Sequence, residues 1–244
     1  PQMMEELRSA FAADYTLSKE WRLSQLKALV RMLDEEGPAL CEAMRKDLHK
    51  SPLAGFLTEL ALVTSEPLTA IEMLDEWMTP TKTRNSALNI PSWSTTQRDP
   101  LGVVLIMGAW NYPMQLSLAP MVGAIAGGNC IVIKPGSYAV ASSHALAIAI
   151  KKHMDSQCIR VVEGNRARTG AILKETFETT FFTGSAFVGK IVATACAQNL
   201  RPCVLELGGK SPSIVDKSAN LDHAVQRLVW GTFVNGEYGP LIFI

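Results

Sequence analysis

Residues 205–212 read Leu-Glu-Leu-Gly-Gly-Lys-Ser-Pro, so a single carboxylate, Glu206, precedes a pair of glycines. The run Cys203–Leu207 has the character of a β-strand, which puts Glu206 near a strand end. A carboxylate there acts as a general base when partial burial raises its pKa. A structural ion pair is the alternative that Glu206 taken alone leaves open.

A glycine-bearing loop follows the β-like run 179–182. Residues 183–190 read Thr-Gly-Ser-Ala-Phe-Val-Gly-Lys and lead into a predicted helix. Amides at a helix N-terminus bind phosphate oxygens, and glycine lets a ligand approach closely. The alternative is a tight strand-to-helix turn without a ligand. The candidate phosphate-binding residues are Gly184, Ser185, Ala186, Phe187, Val188 and Gly189.

Two familiar nucleotide motifs do not fit that loop. Ile191 stands where a Walker loop needs a magnesium-binding Ser or Thr, which disfavours a P-loop nucleotidase. The later Gly209-Lys210-Ser211 has the hydroxyl but lacks the leading glycine, and the three spaced glycines of the standard dinucleotide fingerprint are absent.

Two further polar groups follow predicted strands. Lys134 is the only charged residue between Asp99 and Lys151. A buried lysine needs a partner or a shifted pKa, so it either contacts a ribose or phosphate or extends its ammonium to the domain edge. Asn111, in Trp110-Asn-Tyr-Pro, either donates to a developing oxyanion or forms a turn.

The elements that must position these groups alternate in type after Pro100, and five strands alternating with helices predict a parallel, doubly wound α/β sheet. In such sheets ligands bind at the carboxyl ends of the strands, where each candidate above falls. The predicted strands are Gly102–Met107, Cys130–Ile133, Ile159–Val162, Thr179–Phe182 and Cys203–Leu207. The predicted crossover helices are Met114–Ala126, Ala139–Met154 and Ala186–Asn199.

The first eighty residues are predicted to be mainly helical. Leucines at helical spacing follow Ser18, a possible N-cap, and Gly37-Pro38 is expected to end that helix. Residues 79–100 lose the apolar period and are rich in Thr, Ser, Asn and Pro, which indicates a linker or a hairpin that leaves the domain. This segment is either an exposed loop or an oligomerisation segment.

Composition narrows the class of partner. The 244 residues carry 23 basic and 23 acidic side chains, so we expect no nucleic-acid or anionic-lipid partner. The apolar run Tyr112–Ile133 is interrupted by Pro and Gly, so we predict core burial and no membrane segment. Five cysteines without metal-binding spacing indicate reduced thiols in a cytoplasmic protein and no metal site. Because the chain opens on Pro1, we expect a trimmed or partial chain without a signal peptide.

Several segments together are similar to the aldehyde dehydrogenase superfamily, in register from about Leu17 to Asn235. Asp47-Leu-His-Lys resembles its class 3 branch. The segments are Pro100-Leu-Gly-Val-Val-Leu, Trp110-Asn-Tyr-Pro, Lys134-Pro, Phe182-Thr-Gly-Ser, Val188-Gly-Lys, Leu205-Glu-Leu-Gly-Gly-Lys-Ser-Pro and Trp230-Gly.

The resemblance implies a Rossmann-like domain without the standard glycine fingerprint, and a reaction that oxidises an aldehyde to a carboxylate. A cysteine thiolate attacks the aldehyde, a hydride passes to NAD or NADP, and water hydrolyses the thioester. By matching motif, Asn111 stabilises the oxyanion and Glu206 activates the water. Gly184 to Gly189 face the cofactor pyrophosphate, Lys134 faces the adenosine ribose, and Trp110 belongs to the cofactor site.

This chain departs from the family pattern at two places. Gly136-Ser137 replaces the common Ser-Glu, which removes a charged hydrogen bond to a ribose hydroxyl worth roughly 1 to 3 kcal/mol. It also removes repulsion toward a 2′-phosphate, so we expect weaker NAD binding with NADP tolerated. Counted in register, the nucleophilic cysteine should fall at position 240, which is Pro240. Cys203 is three residues before Glu206, on the opposite face of a strand, and is interpreted as a core thiol.

We therefore expect residues 1–209 to form an NAD(P)-binding domain and residues 210–244 to begin a catalytic domain, truncated and divergent from residue 236. Such a chain is expected to be inactive alone. The expected partners are an aldehyde in the intact family and a second copy or a full-length subunit. The alternative is a non-catalytic cofactor-binding or regulatory module.

Overall fold

A computed structural model describes residues 2–235 and the backbone of residues 242–243. The strands are β1 (Thr81–Thr83), β2 (Ser94–Thr96), β3 (Val103–Met107), β4 (Cys130–Lys134), β5 (Ile159–Val161), β6 (Thr179–Gly184), β7 (Cys203–Leu207), β8 (Pro212–Ser213) and β9 (Ile242–Phe243). The helices are α1 (Gln2–Ala12), α2 (Lys19–Leu48), α3 (Pro52–Gly55), α4 (Ala61–Met78), α5 (Gln115–Ala126), α6 (Val140–His153), α7 (Arg166–Ile172), α8 (Ala186–Gln198) and α9 (Leu221–Phe233). One π-helical turn (Phe56–Leu60) joins α3 to α4, and a 3-10 turn (Ala87–Asn89) lies between β1 and β2.

The central sheet has the order β5-β4-β3-β6-β7, and all its strands are parallel. Every residue of β3 and β4 is buried, because helices cover both faces of these two inner strands. This explains why both read as continuous apolar runs rather than as alternating ones. The predicted α/β sheet is confirmed, and the strand boundaries differ from the prediction by at most two residues.

The chain reverses direction across the sheet between β3 and β6. From β3 it winds through α5 to β4 and through α6 to β5, and it then returns to β6 and continues through α8 to β7. Right-handed crossovers therefore place α5 and α6 on one face and α8 on the other. The connections that leave the carboxyl ends of β3 and β6 therefore run to opposite faces of the sheet, and in open α/β sheets ligands bind at such a point.

Helix α2 forms an outer layer against α5 and α6. Its N-cap is Ser18, whose Oγ accepts a hydrogen bond from the Trp21 amide at 3.1 Å, as predicted. The predicted end at Gly37-Pro38 is wrong, because α2 continues through Pro38 to Leu48. Apolar side chains continue to be buried at Leu40 and Met44, so packing beyond the proline outweighs the hydrogen bond that its ring cannot donate.

Residues 79–100 contain an antiparallel pair, in which Thr81 lies opposite Thr96. The segment is thus a hairpin and not a linker, and its strands are exposed on every residue. Three large apolar side chains project from it into solvent: Leu88 is 94% exposed, Ile90 73% and Trp93 80%. An exposed apolar patch of this kind is typical of an interaction surface.

Beyond β7 the chain forms β8 and α9. Apolar residues recur along α9 at Leu221, Val225 and Val229 and stay exposed. Pro240, where the resemblance expects the nucleophile, lies outside the described residues. The division into a domain over 1–209 and another from 210 stays a prediction.

Two kinds of feature are absent within the described part of the chain. None of its helices combines the length and the hydropathy that crossing a bilayer would require. Nor do its His, Cys, Asp and Glu side chains gather in any group of three that could hold a metal ion.

Candidate active site

Four of the predicted polar segments meet at the carboxyl edge of the central sheet. Lys134 ends β4 and pairs in register with Met107 at the end of β3, which leads into Trp110 and Asn111. On the other side of β3, Thr183 of β6 pairs with Glu206 of β7. Because all these strands are parallel, the order along the edge is Lys134, the Trp110 loop, the glycine loop and Glu206.

Lys134 is buried, with 3% of its surface exposed. Its ammonium donates to the carbonyl oxygen of Pro135 at 2.6 Å and to the Ser137 hydroxyl at 3.1 Å. Burial lowers the pKa of Lys134, because desolvation penalises the charged form. The ammonium is therefore held at the end of β4 by neighbouring oxygens, and a contact of Lys134 with a ribose or phosphate stays a prediction.

The loop after β4 lies directly against the loop after β3. A Cβ added to Gly136 would lie 2.8 Å from the carbonyl carbon of Ala109 and 2.8 Å from the nitrogen of Trp110. Only glycine permits this approach of two backbones. Ser137, at the position of the family's glutamate, donates through its hydroxyl to the Gly164 carbonyl at 3.0 Å. The loops after β3, β4 and β5 therefore form one connected edge.

A buried ion pair holds the Trp110-Asn111 loop from the helical layer. Lys50 Nζ lies 2.6 Å from Glu59 Oε1, and the two side chains are 5% and 0% exposed. Lys50 also donates to the Asn111 carbonyl oxygen at 3.1 Å and lies 4.3 Å from the centroid of the Tyr112 ring. These contacts fix the backbone of the residue expected to donate to an oxyanion.

The second carboxylate oxygen of Glu59 caps helix α5. It accepts from the amides of Met114 at 2.8 Å and Gln115 at 3.2 Å, and no side chain of the α5 N-cap itself does so. Burial raises the pKa of Glu59, while the Lys50 ammonium and the two amides oppose that rise. The opposing contacts are those that favour an ionised carboxylate.

The Asp47 carboxylate caps helix α6 in the same way. Its carboxylate oxygens accept from the amides of Ala141 at 3.1 Å and Ser142 at 2.7 Å, and the N-cap Ala139 has no oxygen to offer. Sequence reasoning used Asp47-Leu-His-Lys only as a mark of resemblance and did not single out Glu59. The available signal was the missing cap: neither crossover helix begins with Ser, Thr, Asp or Asn.

The glycine loop forms the start of α8. Ser185 is its N-cap and accepts from the Val188 amide at 3.3 Å. The amides of Ala186 and Phe187 belong to the first turn and have no intrahelical acceptor. Gly189 is buried where a Cβ would lie 2.7 Å from a Leu207 methyl carbon, which brings α8 close to β7. The loop thus presents amides and the positive end of a helix dipole at the sheet edge.

Glu206 is exposed, so the described part of the chain does not supply the partial burial on which a general-base role depends, and that role stays a prediction. Since β7 is the edge strand, no further strand covers its outer side. Cys203 is half-buried at the other end of β7, and burial is the main cause that raises the pKa of its thiol. A thiol with a raised pKa is a poor nucleophile at neutral pH, in agreement with its interpretation as a structural residue.

An apolar groove of about 640 Å³ lies beside the Trp110-Asn111 loop. One wall is formed by α3 and the π-helical turn, the second by Tyr112 and Gln115, and the third by Trp230 and Val234 of the α9 segment. The remaining lining residues are Ser51, Leu53, Ala54, Leu57, Thr58 and Leu62. The groove is shaped for an apolar group next to the loop that carries Asn111.

Comparison with known proteins decides the family. The model of the aldehyde dehydrogenase family matches residues 2–237. The chain belongs to the aldehyde dehydrogenase family. This confirms the resemblance, and the general reaction of the family is NAD(P)-dependent oxidation of aldehydes.

Individual aldehyde dehydrogenases resemble the chain along nearly its whole length. Family 3 member I1 from Arabidopsis thaliana, named as chloroplastic, is 43% identical over 94% of this chain and 42% of its own. The dimeric NADP-preferring enzyme of Rattus norvegicus is 40% identical over 95% of this chain and 51% of its own. The substrate-bound Staphylococcus aureus AldH superposes with a TM-score of 0.96 at 32% identity, over 99% of this chain and 54% of its own.

Member I1 and a Mus musculus relative named aldehyde dehydrogenase family 3 member B1, 40% identical over 95% of this chain and 50% of its own, carry family 3 names, in agreement with the class 3 resemblance. The chain spans about half the length of the curated relatives it matches.

The close contact at Gly136 gives a test of the connected edge. We expect Gly136→Ala to lower the free energy of unfolding by about 1 to 3 kcal/mol, because the new methyl group overlaps the Ala109-Trp110 backbone. Chemical denaturation followed by circular dichroism measures this change. Gly170→Ala is the matched control: no atom lies within 4 Å of its Cβ position, and alanine within a helix should stabilise by up to ~1 kcal/mol. Equal effects of the two substitutions would contradict the close contact.

Proposed function

We propose that this chain forms the cofactor-binding half of an aldehyde dehydrogenase that oxidises an apolar aldehyde to its carboxylate with NAD or NADP. The observation that carries the proposal is the meeting of Lys134, the Asn111 loop, the α8 N-terminus and Glu206 at one sheet edge. That edge borders the point where strand order reverses, the general position of dinucleotides in open α/β sheets.

The residues at this edge fit a dinucleotide. The first-turn amides of α8, from Ala186 onward, would hold the pyrophosphate, because these amides have no intrahelical acceptor. The Lys134 ammonium and the Ser137 hydroxyl would hold the adenosine ribose, and Trp110 would border the same site. When bound, the cofactor supplies the hydride acceptor of the reaction, and the protein holds and orients it.

The aldehyde binds in the groove with its apolar part against Tyr112 and Trp230, and with its carbonyl oxygen toward the Asn111 amide. The amide stabilises the negative charge that develops on that oxygen during attack. Glu206, on the far side of the cofactor loop, activates the water that releases the acid. The groove favours an aliphatic or aromatic aldehyde over a charged one, since its lining is mainly apolar.

The side chain at position 137 sets the choice between the two cofactors. A hydroxyl neither binds the 2′-hydroxyl of NAD as strongly as a carboxylate does nor repels the 2′-phosphate of NADP. The positive charge of the Lys134 ammonium, next to Ser137, favours binding of the 2′-phosphate of NADP. The rat relative is itself named as NADP-preferring, which supports NADP as a cofactor here.

Restoring a carboxylate at position 137 tests this choice. We expect the wild-type chain to bind NADPH at least as tightly as NADH, and Ser137→Glu to weaken NADPH binding roughly tenfold relative to NADH through charge repulsion. Titration of each reduced cofactor by fluorescence measures both affinities. Ser156→Glu adds the same charge in an exposed turn before β5, at the amino end of the sheet, and should leave the ratio unchanged. A strong preference of the wild-type chain for NADH would contradict the proposal.

The nucleophile is the component that this sequence does not supply at the expected position, which is Pro240. Proline has no group that adds to a carbonyl carbon. The nearest cysteine along the chain, Cys203, lies on the opposite face of β7 from Glu206. We therefore propose that this polypeptide binds cofactor and aldehyde but does not complete the oxidation by itself.

Absence of turnover is the corresponding expected result. With an apolar aldehyde and NAD or NADP, the chain should produce no NADH or NADPH above the rate of a protein-free blank, followed at the absorbance of the reduced nicotinamide. The cofactor titration on the same preparation is the control that the protein is folded. Measurable turnover that Glu206→Gln abolishes would show that the chain carries its own nucleophile.

A second candidate function is that of a non-catalytic module that pairs with another copy or with a full-length subunit. The exposed Leu88, Ile90 and Trp93 of the hairpin favour it, and the rat relative is named as dimeric. All five cysteines are free thiols, which supports a reducing compartment such as the cytoplasm.

We expect copurification of a full-length subunit with the tagged chain, lost when Leu88, Ile90 and Trp93 are changed together to serine. Retention after that change would exclude the hairpin as the pairing surface.

A further inference from the structure

The Lys50–Glu59 ion pair is more elaborate than packing alone requires. Two charges are taken out of water here, and replacement of such a pair by apolar side chains is often neutral or stabilising. Glu59 also lies in a π-helical turn, Phe56–Leu60, and single π-turns occur frequently at functional sites. Stability therefore gives a weak reason for this arrangement, and its contacts indicate another.

Within the described part of the chain, the polar contacts of the pair beyond its own ion pair reach residues 111–115, which run from the loop after β3 to the first residue of α5. Lys50 binds the Asn111 carbonyl oxygen and lies against the Tyr112 ring. Glu59 binds the amides of Met114 and Gln115. These four residues follow one another with a single interruption, at Pro113, which has no amide hydrogen to bind. The pair thus holds the loop at both ends, before and after the proline.

The same contacts connect two walls of the groove. Ser51 and Thr58, which line one wall, are each next to a member of the pair, and Tyr112 and Gln115, which line another, are bound by it. If the pair shifted, Asn111 and the groove would move relative to each other. A carbonyl hydrogen bond weakens steeply with such displacement, because it depends on both distance and angle.

We propose that Lys50 and Glu59 are positioning residues for carbonyl recognition: they set the Asn111 amide against the groove in which the aldehyde lies. This rests on the proposed function, in which Asn111 is the group that contacts the carbonyl oxygen. Neither Lys50 nor Glu59 touches the reacting atoms. Their effect on the substrate passes through the backbone of residues 111–115.

A pair of inert probes isolates this effect without turnover. Acetophenone and α-methylstyrene have the same shape, but only the ketone has a carbonyl oxygen. Calorimetric titration of the chain with each gives the ratio of their dissociation constants, and the change in that ratio between variants reports carbonyl recognition apart from burial in the groove. The ratio in any one variant also contains the cost of desolvating the ketone, so Asn111→Ala sets the reference. We expect the affinity for acetophenone relative to α-methylstyrene to fall roughly fivefold in Asn111→Ala, as for one neutral hydrogen bond.

The double substitution Lys50→Met with Glu59→Leu removes the ion pair and its contacts to residues 111–115, while keeping side chains of similar volume. We expect it to fold, by circular dichroism and thermal denaturation, and to bring the ratio near that of Asn111→Ala while α-methylstyrene affinity changes less than twofold. Lys50→Arg is the conservative control. A guanidinium can still bind both Glu59 and the Asn111 carbonyl oxygen, so this variant should keep the wild-type ratio. If the double variant does not fold, Glu59→Gln keeps the side-chain shape without the charge and should lower the ratio.

Three results would overturn the inference. A double variant that keeps the wild-type ratio, while Asn111→Ala loses it, refutes the positioning role and leaves the proposed function intact. An equal loss of affinity for both probes gives the pair a structural role only. A wild-type ratio equal to that of Asn111→Ala removes carbonyl recognition by Asn111 itself, and the proposed function of Asn111 fails together with the inference.

Discussion

Two carboxylates outside the sheet hold the amides at its carboxyl edge, and the site depends on them. Glu59 caps α5 and Asp47 caps α6, although neither helix has a capping side chain of its own. A lost cap costs about 0.5 to 2 kcal/mol, and breaking a buried ion pair costs roughly 3 to 5 kcal/mol. The N-terminal helices are therefore part of the site, because they fix the two loops through which β3 and β4 lead into their helices.

The central sheet also fixes the loops after β3 and β4. Parallel strands bring their carboxyl ends to one edge, and Gly136 lets the loop after β4 rest on the backbone of Trp110. Lys134 is then buried beside Ser137 at the end of β4. The result is an edge that carries the Lys134 ammonium and the first-turn amides of α8, with Glu206 at its far end and an apolar groove next to it.

The fold was largely predictable from the sequence, for a physical reason. Buried parallel strands such as β3 and β4 need uninterrupted apolar runs, and the glycines and prolines between them separate strand from helix. The continuation of α2 through Pro38 could not be predicted, because it depends on where α2 packs and not on local preference. The exposure of Glu206 could not be predicted either, because its strand lies at the edge of the sheet and strand order is not visible in a single sequence.

The motifs of the candidate site could be recognised in the sequence, but the residues that hold them in position could not. Lys134, Asn111 and the Gly184 loop each follow a strand, so the topology alone brings them together. Lys50 and Glu59 are nine residues apart in a helical region, and nothing in their spacing shows that they reach a loop near residue 111. Long-range contacts of this kind arise from packing between layers, which periodicity does not encode.

The central claim is that the sheet edge between β4 and β7 binds the dinucleotide. Hydrogen exchange of backbone amides, measured by mass spectrometry with and without saturating NADPH, tests it most directly. The account predicts slower exchange on binding at residues 184–189, with a smaller effect at 108–112 and 134–137, and no change in the hairpin over 81–96. Unchanged exchange at residues 184–189, or protection confined to another part of the chain, would contradict it.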